Sequence, residues 1–187
     1  MGRIVVTEFI SVDGVVEAPG GEDFRYSGWS FSVDRGPEGD QFKLAEAQAA
    51  DALLMGRKTY ESFAAAWPER EGEFAHKYNF MPKYVASTTL TEPSWQNTKV
   101  LTSDLPTEIG RLKQEYEGEI SVSGSIQLVQ WLFASDLVDE IHLMTIPVIL
   151  GHGRKLWAET PDMTRWNLTA AETVGDGVLI TSYQRAR

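Results

Sequence analysis

Ala52-Leu53-Leu54-Met55-Gly56-Arg57-Lys58-Thr59 is a short apolar run that ends on a glycine and two cations. The run suits a buried strand, and Thr59 to Ala66 then reads as a helix stopped by Trp67-Pro68. A strand that enters a helix through glycine leaves free N–H groups at the positive end of the helix dipole. Gly56 lets a ligand come close to the backbone. Arg57 and Lys58 add charge where a phosphate would sit. The segment is not a Walker A loop, because Asp51 stands where that pattern needs glycine. Taken alone, these four residues are explained equally well by an ordinary turn carrying two solvated cations.

Working outward, Ser123-Gly124-Ser125-Ile126 repeats the device after a second strand, Glu119 to Val122, with Ser125 as an N-cap for a helix over 126–134. On its own it also suits a plain strand-to-helix connection. Residues 3–10 are β-branched and alternate, which reads as a buried strand, and residues 11–37 form a long loop rich in Gly, Pro, Asp and Ser. Helices are expected over 38–52 and 106–117, and strands over 83–88, 98–102 and 138–146. Runs 166–174 and 178–185 flank Gly175-Asp176-Gly177 as a hairpin. Strands alternate with helices and a hairpin closes the chain. The expectation is one α/β domain over residues 1–187, with a largely parallel sheet and an antiparallel edge. In such sheets ligands sit at the carboxyl ends of strands, so the turns at 11–17, 56–59, 87–89 and 123–126 would share one rim.

Composition narrows the partners. The formal charge of −10 disfavours nucleic acid and anionic membrane surfaces. A phosphate-bearing ligand would need a local basic or amide-rich site. The chain has no cysteine, which removes disulfides, thiolate nucleophiles and cysteine metal sites and is compatible with a reducing cytoplasm. No signal peptide and no membrane-length apolar run is present.

Ser11-Val12-Asp13-Gly14-Val15-Val16-Glu17 follows the first strand and puts two carboxylates near the rim. Asp-Gly is also ordinary turn chemistry. His76, His142 and His152 show no metal-ligand spacing, and each reads as structural or solvated; no metal site is expected. Gly151-His152-Gly153 begins like a dinucleotide fingerprint, but Leu156 stands where its third small residue belongs. Among six tryptophans, Trp29 lies in the long loop with Phe31, where the pair could wall a pocket for a flat ring as readily as fill a core.

Taken in order, these segments resemble the dihydrofolate reductase-like family, in particular the reductase domain of the bifunctional riboflavin-biosynthesis deaminase-reductase. Three stretches carry the likeness. They are Ser11 to Val16, Leu53 to Phe63, and Leu137 to Leu143 continued by Ile146-Pro147-Val148-Ile149-Leu150-Gly151-His152-Gly153. The resemblance implies a three-layer fold with NADPH across the carboxyl edge of the sheet. By position, Arg57 and Lys58 would meet the adenosine phosphate and Thr59 the pyrophosphate, with Gly56 at the turn. Ser87 and Thr88 would lie beside the adenosine end. Gly124, Ser125 and Ile126 would cover the pyrophosphate, and Ile10, Ser11 and Val16 would border the nicotinamide. Asp13 would lie near the substrate, as the residue that orients or protonates it, with Trp29 beside it.

The chain departs from that family in two places. Its paired glycines become Gly124-Ser125, and the acid that dihydrofolate reductases carry early in their first helix has no aligned counterpart among Asp34, Glu38 and Asp40. The zinc motif of the deaminase half needs cysteine and is absent. The resemblance therefore implies a cytoplasmic, homodimeric, NADPH-dependent reductase of a pterin-like or pyrimidine-like heterocycle. A ligand-binding module of the same fold without turnover is the alternative.

Overall fold

The structure, a computed structural model, describes residues 1–102, 104–159 and 162–186. The chain runs through β1 (Arg3–Ser11), α1 (Gly36–Ala49), β2 (Ala50–Gly56), α2 (Arg57–Ala66), α3 (Glu73–Phe80), β3 (Lys83–Ala86) and β4 (Thr98–Leu101). It continues through α4 (Leu105–Glu115), β5 (Glu119–Val122), α5 (Ile126–Ala134), β6 (Glu140–Ile146), β7 (Trp166–Val174) and β8 (Val178–Arg185). The eight strands form one sheet in the order β4-β3-β2-β5-β1-β6-β8-β7. Strands β1 to β6 pair in parallel, and β8 and β7 add antiparallel neighbours at one edge. This is the α/β architecture expected from the alternating pattern.

Burial explains the run of residues in each strand. β1 lies between β5 and β6 and is covered on both faces, so it is buried almost continuously from Ile4 to Ser11. Ile4, Val6 and Ile10 face α4 and α5 and join Leu54, Val122, Val129 and Leu132 in one core cluster. The other face meets α1, α2 and α3, where Leu53, Met55, Tyr60 and Tyr78 form a second cluster. A third, around Trp29, Met144, Ile146 and Ile180, lies beneath the loop that follows β1. At the far edge, every β7 residue from Asn167 to Thr173 is exposed.

Two elements differ from the sequence reading. The helix expected to reach residue 52 stops at Ala49, and Ala50 already pairs with Glu119 of β5. Ala50 and Ala52 are both fully buried. Alanine favours helix locally, but a sheet position with no room for a larger side chain overrides that preference. Helix α3 was not among the expected elements. Its composition is mixed, and it is held by Phe74 and Tyr78 packing on Trp67, with ring centroids 4.9 and 4.7 Å away.

Candidate functional site

The carboxyl ends of the parallel strands β1, β2, β3 and β5 do share one rim, and two of the turns there interlock. Gly56 N–H donates to the Gly124 carbonyl at 3.3 Å. Ser125 Oγ accepts from Thr59 N–H at 3.1 Å and lies 3.3 Å from Thr59 Oγ1. The hydroxyl of one turn thus caps the helix that starts at the other, which has no side-chain cap of its own. The approach is close enough that both glycines are required. A Cβ at Gly56 would come within 2.7 Å of Ser125 Oγ, and one at Gly124 within 2.6 Å of Thr59 Oγ1. Gly124 also has φ +104°, a region that side chains avoid.

Beside this junction lies a cleft of about 430 Å³. Gly56, Arg57, Lys58, Ser87, Thr88, Ser125 and Trp131 are among the residues that line it. Six residues singled out in the sequence therefore meet in one place, where the first N–H groups of α2 and two cations surround an open groove. Arg154 adds a third cation to the lining. No local pattern around Arg154 points to the cleft. That residue arrives because the segment after β6 folds back on the loop after β1: Val16 N–H donates to the Arg154 carbonyl at 3.0 Å, and Leu156 N–H to the Gly14 carbonyl at 3.0 Å. Glu17 accepts from the Arg154 N–H at 2.8 Å and holds the segment in place.

Asp13 is part of the same clasp. Its carboxylate accepts from Ser11 Oγ at 2.7 Å, Leu150 N–H at 3.1 Å and Gly151 N–H at 2.9 Å. The Ser11 bond foremost, then the two amides, pull its pKa down to about 2. An ionised, saturated carboxylate suits orienting a neighbour better than giving up a proton. Ile10, Val16 and Ile126 lie together in the α5-side core, and Ser11 is buried under the clasp. Trp29 is only 4% exposed, packs in the third cluster, and donates its indole N–H to the Glu17 carbonyl at 2.9 Å. Packing accounts for it in this structure. Phe31 beside it is exposed.

Two buried polar features carried no sequence signal beyond an acid or a histidine on an apolar strand. On the α1 face, Lys43 Nζ donates to Thr7 Oγ1 at 2.8 Å and to Glu46 at 2.5 Å, and Glu46 bonds His142 Nδ1 at 2.8 Å. Burial pushes Glu46 up, but Lys43 and His142 outweigh it and hold its pKa at about 2. On the opposite face of β1, Glu8 is buried, and its Oε1 has no hydrogen-bond partner. Desolvation lifts its pKa to about 8 despite the pull of Lys43. Among the described residues no group of three His, Asp or Glu side chains is placed to hold a metal ion, and no helix is long and apolar enough to cross a membrane.

Known proteins share the sequence pattern and the fold of this chain. The sequence model of the RibD C-terminal domain matches residues 3–180. A crystal structure from Shewanella sp. PV-4, provisionally ascribed to riboflavin biosynthesis, superposes with a TM-score of 0.81 at 25% identity, covering 99% of both chains. A pyrimidine reductase-like protein from Corynebacterium diphtheriae superposes with a TM-score of 0.68 at 16% identity, over all of this chain and 92% of that one. The dihydrofolate reductase of Enterococcus faecalis, solved with NADP(H), does so with a TM-score of 0.64 at 14% identity, over all of this chain and 98% of that one. The last two likenesses show the dihydrofolate reductase-like fold alone.

Proposed function

This chain belongs to the RibD C-terminal domain family, and we propose that it is a single-domain, NADPH-dependent reductase of a pterin-like or pyrimidine-like heterocycle. Family and fold support a reductase-like role; the cofactor and substrate class are our reading. The observation that carries it is the cleft in which Arg57, Lys58 and Arg154 meet the interlocked turns of Gly56 and Ser125. In a chain of net charge −10, a helix N-terminus and three cations at one groove, Arg57 paired at 3.7 Å with Glu61 and Arg154 at 3.3 Å with Glu17, favour an anion there against the global field.

In this reading Arg57 and Lys58 hold the adenosine phosphate, and Ser87 and Thr88 flank the adenosine. Thr59, Gly124 and Ser125 approach the pyrophosphate, and Ile126 covers it. Ile10, Ser11 and Val16 wall the nicotinamide. When bound, the cofactor supplies the hydride; the protein orients the reactants and keeps the pocket dry. Asp13 lies at the substrate end, where its fixed carboxylate orients the heterocycle, with Trp29 supporting the same loop. The exposed edge strand β7 supports a homodimer, and the absence of cysteine suits a cytoplasmic setting.

The test is titration of the protein with NADPH and NADH, followed by oxidation assays over a panel of pterins and pyrimidines. Tight NADPH binding, with the preference over NADH reduced roughly tenfold or more in Arg57→Ala/Lys58→Ala, is expected from the loss of charge-assisted phosphate bonds. Failure of the wild type to bind NADPH would sink the proposal. Binding without oxidation on any substrate would favour a ligand-binding module, a second reading supported by the hydrogen-bonded, ionised state of Asp13.

A further inference from the structure

We propose that Glu8 holds the carboxamide of the nicotinamide, pairing with it through two hydrogen bonds; the inference rests on the cofactor reading above. The register of the sheet places it there. β5 ends at Val122, opposite Val6, whereas β1 runs on to Ser11. Beyond Val6, the β5-side edge of β1 therefore has no strand beside it and opens onto the Ser123-Gly124-Ser125 turn. A dinucleotide with its adenosine over β2 and β3 and its pyrophosphate at Ser125 continues along the rim into that slot. Side chains alternate across a strand, so Glu8 shares the α5 side with Val6 and Ile10. It is the first polar side chain that the slot meets on that side.

Glu8 is 7% exposed, and its Oε1 is buried without a partner. Native proteins rarely leave such an oxygen unpaired, and a ligand group is one way to complete it. The surroundings favour the uncharged acid. β6 presents Leu143 opposite Glu8, and α5 carries no ionisable residue. Asp13 and Glu17 in the following loop are tied to Leu150, Gly151 and Arg154. The cation that acts on Glu8 is Lys43 of α1, itself bonded to Glu46 and Thr7. Burial prevails and keeps the carboxyl protonated up to about pH 8. A neutral carboxyl offers one donor and one acceptor side by side, which matches the acceptor and donor of a primary amide. A carboxylate would accept only.

The experiment measures binding of three probes to wild type, Glu8→Gln and Glu8→Leu. The probes are NADPH, its 3-acetylpyridine analogue, and adenosine 2′,5′-bisphosphate, which lacks the nicotinamide. The leucine variant is expected to bind NADPH about tenfold more weakly, as loss of paired hydrogen bonds implies. It should bind the bisphosphate unchanged and show a smaller loss with the acetylpyridine analogue, which has no amide N–H. Glutamine, with a donor and an acceptor of its own, should stay within about threefold of wild type for NADPH. Wild-type NADPH affinity should fall above about pH 8, and that of Glu8→Gln should not, which keeps the test open even if the leucine variant does not fold. Equal NADPH affinity in wild type and Glu8→Leu, equal loss for NADPH and the bisphosphate, or a pH profile unchanged by Glu8→Gln overturns the assignment. Failure of wild type to bind the bisphosphate overturns the cofactor reading itself.

Discussion

A single methyl group added at Gly56 tests whether the two rim turns act as one unit. The new Cβ would stand 2.7 Å from Ser125 Oγ, 2.9 Å from its Cβ and 3.2 Å from its N. Comfortable carbon contacts are about 3.5–4.0 Å, so Ser125 must retreat by something near 1 Å. Its hydroxyl starts 3.1 Å from Thr59 N–H, and that retreat breaks the bond. Overpacking of this kind costs about 1–3 kcal/mol and the lost hydrogen bond about 0.5–1.5 kcal/mol. Together they remove a sizeable part of the about 5–15 kcal/mol that holds a domain folded. Gly56→Ala should therefore lower the urea midpoint at unchanged slope, and NADPH affinity should fall with it because the anion site lies on the displaced backbone. Ser125→Gly removes the side-chain obstacle and forfeits the bond to Thr59 N–H, about 0.5–1.5 kcal/mol. In that background Gly56→Ala should cost little. If the two substitutions add to within about 0.5 kcal/mol, the turns are not coupled and the interlocked junction is wrong.

Other perturbations read other parts of the molecule. Asp13→Asn cannot accept all three of the bonds that fix the clasp; turnover on a proven substrate should drop while the NADPH dissociation constant moves little, and unchanged turnover would remove Asp13 from the chemistry. Lys83 is fully buried and donates to the carbonyls of Asn79, Met81 and Gln96 at 2.9, 2.8 and 3.0 Å; Lys83→Met strands these acceptors and should cost about 2–4 kcal/mol in chemical denaturation. Glu8 keeps its proton in the folded state up to about pH 8, against 4.5 as the ordinary value. The unfolded chain releases that proton first, so stability falls as pH rises through this window, by at most about 1.4 kcal/mol per pH unit, and Glu8→Gln should flatten the slope. Glu46, held at about 2 instead of 4.5, acts in the opposite sense: its contribution is present above about pH 4.5 and disappears as the pH falls towards 2, a loss that Glu46→Gln should abolish in acid denaturation.

The parts of the fold legible in the sequence were those written in local chemistry. The apolar run into Gly56, the glycine and serine of the second turn, and the hairpin around Gly175 each carry their structure within a few residues. Parallel pairing then brought Gly56, Arg57, Lys58, Ser87, Thr88 and Ser125 to one cleft. What stayed hidden depends on distant partners. Arg154 reaches the cleft through Glu17 and Val16, nearly 140 positions earlier in the chain. Glu46 meets His142 across a span of 96 residues. Glu8 is a lone acid in its strand, and only the early end of β5 gives it a neighbourhood. Helix α3 has too mixed a pattern to stand out, and takes its order from the ring of Trp67.

The position of β1 also dictates when the chain can become a protein. Its pairing partners, β5 and β6, begin at Glu119 and Glu140, so the innermost strand is synthesised more than a hundred residues before either flank exists. β6 in turn takes β8, which is synthesised later still, as its outer neighbour. Such non-local closure makes for slow folding. During translation the first strand is an exposed apolar ribbon with two free edges, a natural client for a chaperone at the ribosome exit.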